Sequence, residues 1–136
     1  MIVDLQESGD LPREYHADVM IAGAGPAGIS LALELARARP DWHILLAEAG
    51  GTEEPSNEER ELYSLALGEK SYSVADICRR RKLGGTSAHW GGWAKPPDAT
   101  DFLDNPEWSL PAWPFGQEEL APHLAAACDW CEIAST

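Results

Sequence analysis

The chain alternates between two hydrophobic periods. ADVMIAG, residues 17–23, is a short apolar run bounded by glycine, the pattern of a buried strand. From Ala27 to Arg39 the period changes. Ile29, Leu31, Ala32, Leu35 and Ala36 recur at helical spacing, so one helix face is expected to pack on a sheet. Pro40-Asp41 should stop that helix, because proline disfavours helical geometry in the residue before it. WHILLAEAGG, residues 42–51, is a second strand candidate that ends at Gly50-Gly51. Residues 18–51 therefore read as one βαβ-type unit and place the chain in the α/β class.

Beyond Gly51 the pattern weakens. SNEERELYSLAL, residues 56–67, predicts a helix with Ser56 as its N-cap and Glu59 closing a capping box. GEKSYSVADIC, residues 68–78, reads as a loop leading into a short extended piece. Residues 79–116 are irregular and proline-rich, and a helix is expected over 117–133. No further buried parallel strands are indicated, and two strands leave open edges and an uncovered face. Residues 1–136 are thus expected to be part of a Rossmann-like domain. The sheet is incomplete and there is no complete substrate domain, so the remainder of the same polypeptide should finish the fold.

Composition narrows the choice of class. With 136 residues, 44% of them hydrophobic, the chain can build a core, while its net charge of −13 argues against a nucleic-acid surface. The basic run Arg79-Arg80-Arg81-Lys82 is a local exception. It reads either as a solvated loop pairing with nearby acids, or as a loop with one arginine turned inward toward phosphates. No run reaches the roughly 18 apolar residues of a membrane helix, and the N-terminus lacks a secretory layout, so a soluble cytoplasmic protein is expected. Three cysteines, an odd number, fit a reducing compartment. Cys128 and Cys131 form a C-x-x-C pair, but a structural zinc takes about four ligands, so they read as two small residues of the last helix and no metal is expected.

The chemistry begins at Gly23-Ala24-Gly25-Pro26-Ala27-Gly28, placed between the first strand and its helix. The missing side chain at Gly23 permits a tight turn, that at Gly25 a close approach of pyrophosphate, and that at Gly28 close packing of helix and sheet. Pro26 suits the first helical position, and the first-turn N–H groups from Ala27 onward face the phosphate. Glu48, at the end of the second strand, can take the two hydroxyls of an adenosine ribose and disfavours a 2′-phosphate. The order strand, helix, strand, acid indicates dinucleotide binding, which NAD and FAD share. A second glycine-rich stretch, Leu83-Gly84-Gly85-Thr86-Ser87, offers N–H groups and hydroxyls to a ring edge or phosphate. His89 and Trp90 beside it offer flat surfaces. A nicotinamide cofactor needs no such second segment, so this feature points to FAD.

The pairing of ADVMIAGAGPAG and EAGG with KLGGTSAHWGGWAKPPDATDF, followed by NPEWSLPAWPFGQEELAPHLAAA, resembles the glucose–methanol–choline family of FAD oxidoreductases. The likeness is greatest to its bacterial sugar and sugar-acid dehydrogenases and to pyranose oxidases. It extends from Ala17 onward and implies a Rossmann-like FAD-binding domain. Gly23, Gly25 and Gly28 would hold the pyrophosphate and Glu48 the ribose. Arg79 or Arg81 would lie near the cofactor, with Gly84, Gly85, Thr86, Ser87, His89 and Trp90 on the flavin side of the segment 79–102. His89 falls where pyranose oxidases carry a histidine joined covalently to the flavin. Other members bind flavin without a bond, and a packing role beside Trp90 stays open.

The resemblance implies oxidation of a CH–OH group, in an alcohol or sugar, by hydride transfer to flavin N5. The family's proton-accepting histidine lies near the C-terminus of a longer chain. His16, His43 and His123 do not sit in that motif, so no catalytic residue is assigned here and the segment alone should be inactive. Trp42, Trp93, Trp108, Trp113 and Trp130 read mostly as core or loop anchors, Trp93 being the candidate exception. Two alternatives stand beside this reading. One is another flavin or NAD enzyme that shares only the fingerprint. The other is a non-catalytic nucleotide-binding module.

Overall fold

A computed structural model of the chain describes residues 2–5, 14–61 and 79–133. The expected extended piece at 68–78 and the second half of the helix expected over 56–67 lie outside these. The described chain forms two compact units, Met1–Gly91 and Gly92–Thr136. The boundary divides the glycine-rich segment 79–102 between them.

The first unit carries the βαβ arrangement. Strand β1 (Val19–Ala22) and strand β2 (Ile44–Ala47) pair in parallel, Val19 opposite Ile44 through Ala22 opposite Ala47. Helix α1 (Pro26–Ala38) crosses between them and packs on both. Because strand side chains alternate, Ile21 points toward the helix and is 8% exposed, whereas Met20 on the opposite face is 65% exposed. The expected buried strand is therefore buried on one face. On α1, Ile29, Ala32 and Leu35 are half-buried. Leu31 and Ala36 were also expected on that face but are exposed, because helix and sheet meet along a narrower stripe than the apolar spacing suggests.

Local chemistry sets the ends of these elements. Asp18 ties the strand starts together: its N–H donates to His43 O at 2.9 Å, and its carboxylate accepts the His43 N–H at 2.8 Å. Helix α1 closes two residues before Pro40, where the Arg39 N–H still reaches Leu35 O at 2.8 Å. Arg39 then leaves helical geometry, as a residue before proline should, and its guanidinium lies 4.1 Å above the Trp42 ring. The capping box forms as read from the sequence. Ser56 N–H donates to Glu59 at 2.8 Å, Glu59 N–H donates to Ser56 Oγ at 3.2 Å, and helix α2 spans Asn57–Glu61.

The second unit is irregular up to its helix. Short 3₁₀ turns at Ala99–Phe102 and Pro106–Trp108 lead to an aromatic cluster of Phe102, Trp113 and Phe115 in edge-on contact. Phe102, 9% exposed, is its buried member, while Trp93 is 94% exposed. Helix α3 (Gln117–Trp130) follows, and residues 131–133 of the expected span form its cap. Ile133 N–H donates to Cys128 O at 3.1 Å and Glu132 N–H to Asp129 O at 3.2 Å, a Schellman closure with Glu132 at φ 54° where glycine is usual. Cys128 is half-buried and Cys131 exposed, both as thiols. Among the described residues no group of three or more His, Cys, Asp or Glu side chains could hold a metal ion, and no helix is long and apolar enough to cross a membrane.

Candidate functional site

Where β1 ends, the chain turns sharply. Gly23 sits at φ +98°, a conformation that L side chains rarely adopt, and its N–H donates to Ala47 O at 2.7 Å, extending the ladder past the last strand pair. Gly25 is the N-cap of α1 and Pro26 its first residue. The first intrahelical bond runs from Ile29 N–H to Gly25 O at 3.0 Å, so the N–H groups of Ala27 and Gly28 precede it, and no side chain caps this end. Gly28 allows the approach its motif position demands, since a Cβ there would stand 2.0 Å from Gly23 O. At Gly25 a Cβ would enter open space. The helix end is thus closed from behind and open in front.

In front lies a cleft of about 740 Å³ lined by the first glycine loop, the end of β2, and residues 79–80 and 85–86. It gathers Gly23, Gly25, Pro26, Glu48, Arg79, Gly85 and Thr86 from the residues singled out in the sequence. Arg80 also lines it, although the sequence offered no signal separating it from the arginines on either side.

The second glycine segment is docked on the first. Gly84, at φ +87°, donates its N–H to Ala24 O at 2.8 Å, and Gly85, at φ +58°, would place a Cβ 3.2 Å from Gly25 Cα. Leu83 N–H reaches Gly51 O at 2.9 Å. Gly50 was read only as a strand stop, yet a Cβ there would lie 1.9 Å from Arg81 O, so its glycine lets the basic run pass. Residues Gly85–His89 continue as a 3₁₀ turn. The Ser87 hydroxyl donates to Gly84 O at 2.6 Å, which fastens the turn. Ala27, Gly28, Arg81, Gly84, Ser87, His89 and Trp90 do not line the cleft. Arg81 braces its floor instead, with Nε donating to Ala49 O at 3.1 Å. His89 and Trp90 are both exposed.

Glu48 joins the pieces. Its Oε2 accepts the Ala24 N–H at 2.7 Å and its Oε1 the Gly50 N–H at 3.0 Å. One carboxylate therefore spans the first glycine loop and the loop after β2. A carboxylate has about four lone-pair sites, so two remain for ribose hydroxyls.

Two members of the basic run, Arg80 and Lys82, face one acid, Glu54. Glu54 accepts a hydrogen bond from Lys82 Nζ at 2.9 Å and lies 3.9 Å from both Arg80 Nε and Arg60. The Lys82 hydrogen bond, helped by the charges of Lys82, Arg80 and Arg60, holds the Glu54 carboxyl below its ordinary value.

The residues fit an adenine dinucleotide: a helix end open in front, a glycine whose absent side chain leaves room, cations on one wall and an acid at the end of β2.

Known proteins match over short stretches. The family model described as lycopene cyclase protein matches residues 18–68, the βαβ unit and the acidic stretch after it. Pyranose dehydrogenase 3 of Leucoagaricus meleagris is 40% identical over 57 residues, 42% of this chain and 9% of that protein. Thiamine thiazole synthase of Yarrowia lipolytica is 49% identical over 41 residues, 30% of this chain and 13% of that protein. The thiamine thiazole synthase of Emericella nidulans is 52% identical over 40 residues, 29% of this chain and 12% of that protein. The matched stretches therefore span only about a tenth of the length of these relatives. No solved structure matches it. Architecture and comparison agree on the fold class: α/β, a partial Rossmann-like dinucleotide-binding domain.

Proposed function

We propose that this chain is the FAD-binding part of an oxidoreductase that oxidises a CH–OH group, with a sugar or other alcohol as substrate. The observation carrying this reading is the docking of the Gly84-Gly85 segment on the Gly23–Gly28 loop, which builds one cleft from two glycine turns. The match to a pyranose dehydrogenase, over a stretch longer than the 18–51 unit, supports the substrate class.

When bound, FAD supplies the hydride acceptor for the reaction. This chain's residues bind and orient it. The N-terminal end of α1 and the Gly25 gap would receive the diphosphate and Glu48 would hold the ribose, with Gly85 and Thr86 lining the same cleft. No residue of the cleft is assigned to removing the substrate proton. That step belongs to a base elsewhere in the polypeptide.

A second reading is another flavin or NAD enzyme that shares only the βαβ unit. The thiamine thiazole synthase matches favour it, being higher in identity over about 40 residues. Titrating the chain with FAD and with NADH separates the two. FAD should bind, read as a change in its flavin fluorescence, with NADH failing to compete. NADH binding with no FAD binding would refute the proposal. In the complete polypeptide, bleaching of flavin absorption by a pyranose without NADH should follow, and a flavin left oxidised by sugars and alcohols would refute the substrate class.

A further inference from the structure

We propose that Cys128 and Cys131 form a redox-active dithiol, which a disulfide-class oxidant closes into an intrahelical disulfide at the end of α3. The pair belongs to the second unit, and its chemistry does not depend on nucleotide binding. Leu120, Leu124, Cys128 and Cys131 recur along α3 at spacings of four, four and three, so they share one face, while Asp129 and Trp130 fall on others. Leu120, Leu124 and Cys128 are half-buried, and Cys131, the C-cap, is exposed. Both cysteines are free thiols, and among the described residues no third ligand completes a metal site with them.

Helical geometry brings the two thiols within reach of each other. Cα atoms three positions apart in a helix lie about 5 Å from one another, inside the roughly 4.4–6.8 Å that a disulfide spans. Their Cβ atoms, about 5–6 Å apart in a regular helix, must close to about 3.5–4.5 Å. The backbone that yields is the cap. Cys131 keeps helical geometry at φ −85° and ψ 0°, but the chain leaves the helix at Glu132, in αL at φ 54°. Two bonds hold that turn, Glu132 N–H to Asp129 O at 3.2 Å and Ile133 N–H to Cys128 O at 3.1 Å. A non-glycine residue at positive φ is already strained, so this turn is the part of α3 most readily displaced. In the reaction, the exposed Cys131 thiolate attacks the oxidant's S–S bond, forming a mixed disulfide and releasing one thiolate. The Cys128 thiolate then attacks Cys131 Sγ and releases the second. Two protein thiols thereby lose two protons and two electrons, and the oxidant disulfide becomes two thiols. A disulfide closed against the cap is strained and therefore readily reduced, which makes the pair reversible.

The test treats the full chain, carrying Cys78→Ser so that only the pair reacts, with oxidised glutathione and reads the product by mass spectrometry. The peptide holding both cysteines should lose two hydrogens and carry no adduct. Adding Cys128→Ser should stop the reaction at one glutathione on Cys131. Adding Cys131→Ser should slow glutathione attachment about 10-fold, because the remaining thiol is half-buried. Amide exchange at Glu132 and Ile133 should rise about 10-fold when the disulfide closes, and dithiothreitol should reverse it. A peptide carrying two glutathiones, a disulfide between two chains, or a pair left as thiols in excess oxidised glutathione would overturn the proposal. Closure with exchange at Glu132 and Ile133 unchanged would overturn the part given to the cap.

Discussion

Replacing Glu48 by glutamine tests whether this side chain builds the cleft or only touches a ligand in it. In the structure its two oxygens accept Ala24 N–H at 2.7 Å and Gly50 N–H at 3.0 Å, linking its own loop to one 24 residues earlier in the sequence. A hydrogen bond to a charged acceptor contributes about 1.5–3 kcal/mol, and Glu48 is half-buried, so the lower end applies. Glutamine keeps one acceptor oxygen but turns an NH₂ group toward the other N–H, donor against donor. Glu48→Gln should therefore cost about 2 kcal/mol locally. Glu48→Ala should cost more, since Ala24 is 1% exposed and its N–H would be left buried without an acceptor. The assay is amide hydrogen exchange in the absence of nucleotide. At about 1.4 kcal/mol per factor of ten, protection at Ala24 and Gly50 should fall roughly 30-fold in Glu48→Gln, with the Ile44–Ala47 amides changing far less. Exchange at Ala24 and Gly50 within two-fold of the parent would refute the reasoning and leave Glu48 as a ligand contact alone.

Three other substitutions or conditions probe particular contacts. Gly28→Ala places a Cβ 2.0 Å from the backbone oxygen of Gly23, so it should destabilise the first unit by about 3 kcal/mol and abolish nucleotide binding, read as a lowered urea midpoint and a lost titration. Glu132→Gly relieves an αL position at φ 54° and should stabilise the second unit by about 1 kcal/mol, seen as a raised Tm. Glu54, held below its ordinary 4.5 first by its hydrogen bond to Lys82, contributes stability that is full above that value and is lost as pH falls below it through the folded-state value. Denaturation midpoints should therefore drop between pH 5 and lower pH, and Glu54→Gln should flatten that part of the profile.

Much of the fold was legible because its signals are local. The period change at Gly23, the Ser56–Glu59 capping pair and the stop before Pro40 each depend on residues within a few positions of one another. Gly23 and Gly28 were legible for the same reason, since a turn and a first helical turn fix which of them must lack a side chain. The narrower contact face of α1 was not legible, because spacing shows which residues share a stripe but not how wide the facing sheet is.

The sequence by itself determined the βαβ order, the glycine turn and the acid at the end of β2, since backbone conformation and strand alternation are set by near neighbours. Only the tertiary structure decided that Glu48 clamps two loops, that Gly50 makes room for Arg81, and that Arg80 lines the cleft while Arg81 braces the loop after β2. Those assignments rest on contacts some 24 to 32 residues apart across irregular backbone. There no period fixes which way a side chain points, so four consecutive cations look alike until the chain is folded.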